Sequence, residues 1–178
     1  SLGTRGLDVQ AALCRELGLG QPEIAWHTVR DRIGEVGCFL GLVTGTLGKI
    51  ATDVMLMMQT EVGEVFEPFL SGRGASSTMP QKRNPISAEL MVACARGVRQ
   101  DVGLMLDSLA GADHERATGP WHLEWMALPR AFIAAGGALA QARFLATGLI
   151  IDAGRMRKNL DMTGGLIVAE AVMMALAE

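Results

Sequence analysis

Residues 29–57, VRDRIGEVGCFLGLVTGTLGKIATDVMLM, decide how this chain folds. Val29, Ile33, Val36, Leu40, Val43, Leu47, Ile50, Val54 and Met57 recur in alternating steps of four and three. That spacing is the seam of a helix packed lengthwise in a bundle; a strand would alternate every second residue. Gly34, Gly37, Gly41, Gly45 and Gly48 lie on another face. Each glycine weakens a helix by roughly 1 kcal/mol relative to Ala. Their regular spacing therefore implies a compensating close approach of a second helix. At ~1.5 Å per residue the segment would be about 40 Å long.

Working outward, residues 9–17 read as a helix and residues 64–68 as a polar turn. Asn84-Pro85 is a helix start, with Asn as N-cap and Pro at the first helical position. The helix it opens runs to about residue 110. Residues 111–120 form a loop, 121–148 a long helix, 152–160 a short one, 163–165 a turn, and 166–177 a last helix. No stretch alternates as a strand should. The predicted class is all-α, a bundle of long helices. Residues 1–148 are expected to form a central helical domain, and residues 149–178 the start of a second one. Both ends fall inside apolar helical runs, so the chain reads as a piece of a longer protein.

Composition agrees. Of 178 residues 49% are hydrophobic but only 4% aromatic, with no Tyr, so Ala, Leu, Met and Val must fill the interior. Lys plus Arg is 16 against 19 for Asp plus Glu, a net charge of -3. This lacks the basic excess of a nucleic-acid surface. Cys14, Cys38 and Cys94 are far apart without CxxC spacing; they read as free thiols in a reducing compartment rather than disulfides or metal ligands. No charged leader followed by an apolar block is visible at the start. The longest charge-free stretches, 36–48 and 131–142, fall short of the ~20 residues of a membrane span. A cytoplasmic protein, with no membrane and no nucleic-acid partner, is expected.

The chemistry centres on residues 71–85, above all Gly74-Ala75-Ser76-Ser77-Thr78-Met79-Pro80-Gln81-Lys82-Arg83-Asn84-Pro85. Small residues at 74–78 let the backbone move and approach a ligand closely. Lys82 and Arg83 stand ahead of a helix N-terminus, whose unpaired N–H groups and dipole favour an anion. A serine in that field loses its proton more easily, because the oxyanion is stabilised. Glu89, one turn into the helix, could orient a basic group. Taken alone, the stretch is equally a Gly/Ser linker before a well-capped helix.

The segment resembles the fumarase/aspartase superfamily signature Gly-Ser-Ser-x-Met-Pro-x-Lys-x-Asn-Pro, matched at Ser76, Ser77, Met79, Pro80, Lys82, Asn84 and Pro85. Ala75 departs from the usual Gly. The likeness extends through Arg30-Asp31-Arg32 and Gln59-Thr60-Glu61-Val62. It implies that Ser76 is the catalytic base on a mobile loop. Lys82 and Asn84 would hold the substrate carboxylate and its aci-carboxylate form, with Ser77 and Met79 beside them. Glu89 would pair with a catalytic His upstream of residue 1. It also implies a homotetramer with active sites shared between subunits, and no metal or organic cofactor.

Within the superfamily, residues 114–125, His-Glu-Arg-Ala-Thr-Gly-Pro-Trp-His-Leu-Glu-Trp, are similar to bacterial 3-carboxy-cis,cis-muconate cycloisomerases. Adenylosuccinate lyases look alike around Arg30-Asp31-Arg32 and Glu115-Arg116, but carry an Arg where this chain has Trp125. The resemblance implies a small polycarboxylate substrate; Arg116, Arg30 and His122 are further candidate binding residues, with a surface ion pair the other reading of the arginines and loop stabilisation that of His122. Adenylosuccinate lyase chemistry and an inactive structural homologue are the alternatives. His114 and His122 bracket the loop expected near the site, and His27 reads as a helix-start residue beside Trp26.

Overall fold

The computed structural model describes residues 3–70, 72–74, 76, 78–79, 81–114 and 116–177. Three long helices make the body: α2 (Asp31–Met57), α3 (Ile86–Ala110) and α4 (Trp121–Gly148), preceded by α1 (Gly6–Leu17). α3 lies between the other two and packs along both. It runs antiparallel to each. Gly34 faces Leu106 and Leu109, whereas Gly48, further along α2, faces Ala95. Likewise Glu124 reaches Ser108 near the start of α4, and Arg130 reaches Asp101 a turn and a half later.

α3 meets the glycine strip at four of five positions, but with side chains and not with the close-passing helix backbone that the spacing implies. A Cβ built on Gly37 would sit 2.6 Å from Met105 Cε, on Gly41 3.0 Å from Val102 Cγ2, and on Gly48 2.8 Å from Ala95 Cβ. Gly45 faces open space. The apolar seam behaves otherwise than its periodicity implies. The buried residues of α2 are Gly34, Gly37, Leu40, Thr44, Ala51 and Val54. Seam residues Val29, Val36 and Ile50 are exposed. Small residues line the contact of α2 with α3 alongside Leu40 and Val54, and only part of the seam is buried. α4 is built the same way, with Ala127, Ala131, Ala135 and Ala138 buried in a row. Two core clusters result, one around Leu40, Val98 and Met105, the other around Val54, Ala88, Met91 and Leu145. Buried Thr44 is satisfied by its own helix, donating to the Leu40 carbonyl at 2.8 Å.

Two expectations are corrected here. A strand pair does exist: β1 (Val65–Phe66) lies antiparallel to β2 (Ile150–Ile151). Two-residue strands whose partners are far apart in sequence leave no local alternation to read. Residues 64–68 are accordingly not a polar turn, since Val65 and Glu67 are both buried. Secondly, α2 is long and apolar enough, by length and composition, to cross a membrane. The charge-free stretch 36–48 understates it because such a span tolerates one or two charges. The inner helix of a bundle has the same profile, and the glycine strip engages α3.

Beyond β2, α5 (Ala153–Asp161) is capped by Asp152, which accepts from the Arg155 N–H at 2.8 Å. Arg155 and Asn159 then bind the turn after α2: Arg155 Nε donates to the Val62 carbonyl, and Asn159 Nδ2 to Val62 and to Glu64 Oε1. A 3₁₀ turn (Leu166–Val168) and α6 (Ala169–Ala177) follow and bury no residue in this chain.

The two tightest glycines of the α2 strip, Gly37 and Gly48, differ in what blocks a side chain. Met105 can swing its flexible end aside; the Ala95 methyl cannot move without its backbone. Gly48→Ala should therefore destabilise by about 1–3 kcal/mol through overpacking. Gly37→Ala should come out near neutral, because ~1 kcal/mol of helix propensity offsets the rearrangement. Urea denaturation of the two variants reads the difference.

Candidate active site

The signature loop joins β1 to α3, and its stem is held by an arrangement the sequence does not announce. Glu67, only 7% exposed, accepts from the Ser87 N–H through Oε2 at 3.1 Å and from the Ala88 N–H through Oε1 at 2.8 Å. The Ile86 N–H donates to the Asn84 carbonyl at 3.0 Å and the Glu89 N–H to the Pro85 carbonyl at 2.9 Å. The first N–H groups of α3 are thus all engaged. This overturns the expectation that the helix tip is open to a substrate anion: a carboxylate of the protein already sits there, favoured by the same partial charge. Asn84 is not the N-cap either. Pro85 occupies that position, and the Asn84 side chain donates through Nδ2 to the Gly74 carbonyl at 3.0 Å.

Ser76 Oγ accepts from the Met79 N–H at 3.1 Å and the Thr78 N–H at 3.3 Å, with Thr78 Oγ1 at 3.4 Å. The Met79 carbonyl accepts in turn from the Lys82 N–H at 3.0 Å. Two successive turns therefore link Ser76 to Lys82. Lys82 and Met79 line an open cleft of about 770 Å³, with Met58, Thr60, Phe66 and Arg83 among its other walls. Arg83 lies over the rings of Phe66 and Phe69, at 5.6 and 5.8 Å, leaving Lys82 as the exposed cation nearest Ser76 in sequence. Glu89 is exposed on α3's first turn, away from buried Ser87 and Ala88. Ser77 lies outside the described residues.

Arg30, Arg116 and His122 gather elsewhere. They line a second cleft, of about 460 Å³, with His27, Thr118 and Trp121. This cleft is at the far end of the bundle, where α2 and α4 begin and α3 ends. The length of α3, 25 residues, separates the two groups by ~37 Å along the axis. One chain does not bring the predicted residues together. Arg30 is largely committed: its Nε and Nη2 bind the Glu124 carboxylate, the shortest contact being 2.5 Å. That hydrogen bond raises the Arg30 pKa above its already high value, with desolvation opposing and the charge of Glu124 assisting. The pair therefore acts first as a structural tie. Arg116 is exposed on a tight turn closed by reciprocal backbone bonds with Asp113, at 2.9 and 2.8 Å. His114 stands there with φ +40°, a conformation uncommon for a side-chain-bearing residue. Trp121, His122 and Trp125 form an edge-on aromatic cluster, with centroids of His122 and Trp125 4.8 Å apart and of the two tryptophans 5.1 Å apart.

Sequence reasoning missed Glu67 and Arg73. The Arg73 guanidinium donates from Nη2 to Ser87 Oγ at 2.6 Å and to Gln141 Oε1, and stacks 4.4 Å from the centre of the Phe144 ring. A Glu directly after an apolar pair gives no cue that it caps a helix twenty residues on.

A family model described as lyase matches residues 4–99, slightly more than half of the chain. The chain belongs to the fumarase/aspartase superfamily of lyases. Among curated superfamily relatives it is 54% identical over 176 residues to trans-aconitate decarboxylase 1 of Mycosarcoma maydis, covering 99% of this chain and 36% of the relative. It is 52% identical over 178 residues to 3-carboxy-cis,cis-muconate cycloisomerase of Bradyrhizobium diazoefficiens, covering 100% and 39%. The crystal structure of the 3-carboxy-cis,cis-muconate lactonizing enzyme from Pseudomonas putida superposes with a TM-score of 0.87 at 48% identity, covering 99% of this chain and 39% of that one. The chain thus spans well under half the length of these relatives, and its all-α bundle is that of the superfamily.

The Glu67 cap sets a stability test. Glu67→Leu leaves two buried N–H groups without acceptors, each costing about 1–3 kcal/mol. An overall loss of about 2–4 kcal/mol in chemical denaturation is expected, with helix content preserved below the transition.

Proposed function

We propose that the protein carrying this chain closes 3-carboxy-cis,cis-muconate to a carboxymuconolactone through an aci-carboxylate intermediate. A carboxylate oxygen of the substrate adds to a double-bond carbon, forming the C–O bond of the ring. The electron pair moves to the neighbouring carbon and is delocalised into the carboxylate beside it. Ser76 then gives its proton to that carbon, and takes it back in the reverse direction.

The observation that carries this reading is the environment of Ser76 Oγ. Two backbone N–H groups point at it, and donors aimed at a developing oxyanion stabilise it where it forms. The alkoxide left after proton transfer, or needed before abstraction, has its partners already in place. Lys82 supplies the mobile positive charge for the substrate carboxylates. With Glu67 occupying the α3 tip, that task falls on side chains rather than on the helix dipole. Asn84 retains its Oδ1, but its amide nitrogen serves the loop stem, so its proposed role is mainly structural.

Arg116 and His122 belong to a binding surface at the opposite end of the bundle, and we propose that another subunit carries it to the loop. Phe39, Leu42, Phe132 and Ile133, all more than half exposed here, are apolar surface suited to such contacts. A homotetramer with shared sites follows from this reading; a solution mass of one subunit in an active preparation would contradict it. Residues 149–178 remain proposed as the start of a second helical domain. The half-buried free cysteines fit a reducing cytoplasm.

A second reading has an observation of its own. The decarboxylase relative is as similar to this chain as the cycloisomerase, and the same loop could serve a tricarboxylate that loses CO₂. An adenylosuccinate-type substrate fits less well, because Trp125 replaces a cation and Arg30 is engaged by Glu124. With purified full-length protein, loss of the diene ultraviolet absorbance on 3-carboxy-cis,cis-muconate supports the first reading. CO₂ release from trans-aconitate without muconate turnover would replace it. Ser76→Ala should lower turnover by about 10²–10⁴-fold with unchanged circular dichroism; full activity in that variant would remove the mechanism.

A further inference from the structure

We propose that Arg73 is a positioning residue, fixing the near stem of the signature loop so that Ser76 meets the substrate at the right place. This rests on the reading of Ser76 as the proton-transfer group. Arg73 makes three contacts to two helices: Ser87 Oγ in the first turn of α3, and Gln141 Oε1 and the Phe144 ring on α4. Ser87 is fully buried, and its N–H is bound by Glu67. Arg73 is therefore tied to a rigid junction rather than to mobile surface.

The next residue completes the stem. Gly74 has φ +68°, and its carbonyl accepts from both the N–H of Asn84 at 3.3 Å and Asn84 Nδ2 at 3.0 Å. A Cβ there would come within 3.0 Å of the Asn84 carbonyl oxygen. Residues 73 and 74 are thus clamped to α3, α4 and the far stem, and Ser76 is only two residues beyond the clamp.

The space around Arg73 favours a positioning role over direct contact with substrate. The cavity that Arg73 shares with Glu67, Lys82 and Asn84 holds about 20 Å³, room for about one water and not for a tricarboxylate. Both hydrogens of Nη2 are directed to protein acceptors. One guanidinium nitrogen serves both acceptors while the flat face lies on the Phe144 ring, and a Lys ammonium could replace the first contact but not the stacking. Displacement of a catalytic group by about 1 Å can cost on the order of 10²-fold in rate, so an anchor of this kind registers in kcat.

The experiment uses the full-length protein with Arg73→Gln, Arg73→Lys, Gln141→Leu and the Arg73→Gln/Gln141→Leu double variant. Arg73→Gln should lower kcat by about 10- to 100-fold with KM within about threefold, and Arg73→Lys should fall between it and wild type. Gln141→Leu should lower kcat in the same direction, and the double variant should be little worse than Arg73→Gln, since coupled neighbours are not additive. Amide exchange over residues 72–79 should rise, while α3 and α4 keep their protection. A raised KM with unchanged kcat, additive losses, or lost protection throughout α3 and α4 would each overturn the proposal. Failure of the functional reading is separable: it appears as an inert wild type or a fully active Ser76→Ala. In that event exchange over 72–79 alone decides whether Arg73 anchors the loop, and no change there overturns it.

Discussion

The carboxylate of Glu67 on the first N–H groups of α3 is the constraint around which the loop end of the molecule is arranged. Burying a carboxylate costs several kcal/mol unless its charge is met. Here it is met by two backbone donors and by the positive end of a 25-residue helix. Two consequences follow. The chain entering the loop is pinned to the chain leaving it, since Glu67 precedes the loop and Ser87 follows it. And the helix tip is already occupied by a carboxylate, so at this end of the bundle the proposed attraction for a polycarboxylate is assigned to Lys82 rather than to the helix dipole. A lysine on a loop can move with its ligand; a helix dipole cannot. The cap thus separates two tasks the signature seems to merge: the helix holds the frame, and the loop handles the charge.

The second constraint is length. α3 is a rod of ~37 Å, with Ser76, Lys82 and Glu89 at one end and Arg116, His122 and the tryptophans at the other. A substrate of a few ångströms cannot touch both ends of one subunit. Residues at both ends can act on the same molecule only if neighbouring subunits pack lengthwise, one inverted against another. The chain is suited to that arrangement. Its glycine and alanine faces are spent on internal packing with Leu40, Val54 and Leu145, while many other large apolar residues of α2 and α4 face outward. Large side chains outside and small ones inside make little sense for a solitary bundle, because exposed leucine and phenylalanine stabilise nothing until covered.

Much of the fold was legible. The 4–3 spacing gave α2, and the turn chemistry of residues 111–120 bounded α3 and α4, because helices carry their period locally. The glycine strip predicted close packing, though what approaches is mostly side chain, from Met105, Val102 and Ala95. What escaped depended on partners distant in sequence. The pairing of Val65–Phe66 with Ile150–Ile151, the Glu67 cap and the Arg73–Gln141 bond each join segments that no window spans. The reading of Asn84 as an N-cap failed for a related reason. Asn-Pro does favour a helix start, but Gly74 competed for the Asn side chain and Glu67 for the N–H groups. In the site, residue types were readable from the signature, whereas which of them share a cleft was not.

Relatives with different reactions in their names are about equally similar to this chain, and the structure suggests how one loop can serve them. The stem is held by Glu67, Arg73, Gly74 and Asn84 through contacts that end on protein atoms, so its geometry does not depend on the substrate. What it presents is generic: a hydroxyl held by two N–H groups and, six residues on, an exposed lysine, the groups proposed above to move a proton beside a carboxylate. Discrimination must then come from whatever holds the rest of the molecule. At the far end, Trp121, His122 and Trp125 stack edge-on where a nucleotide-using relative would need a cation. An edge-on aromatic cluster beside exposed Arg116 fits the proposed compact unsaturated acid better than a phosphorylated one. If, as proposed, proton transfer lies at one end and shape recognition at the other, joined by assembly, the second can change without disturbing the first.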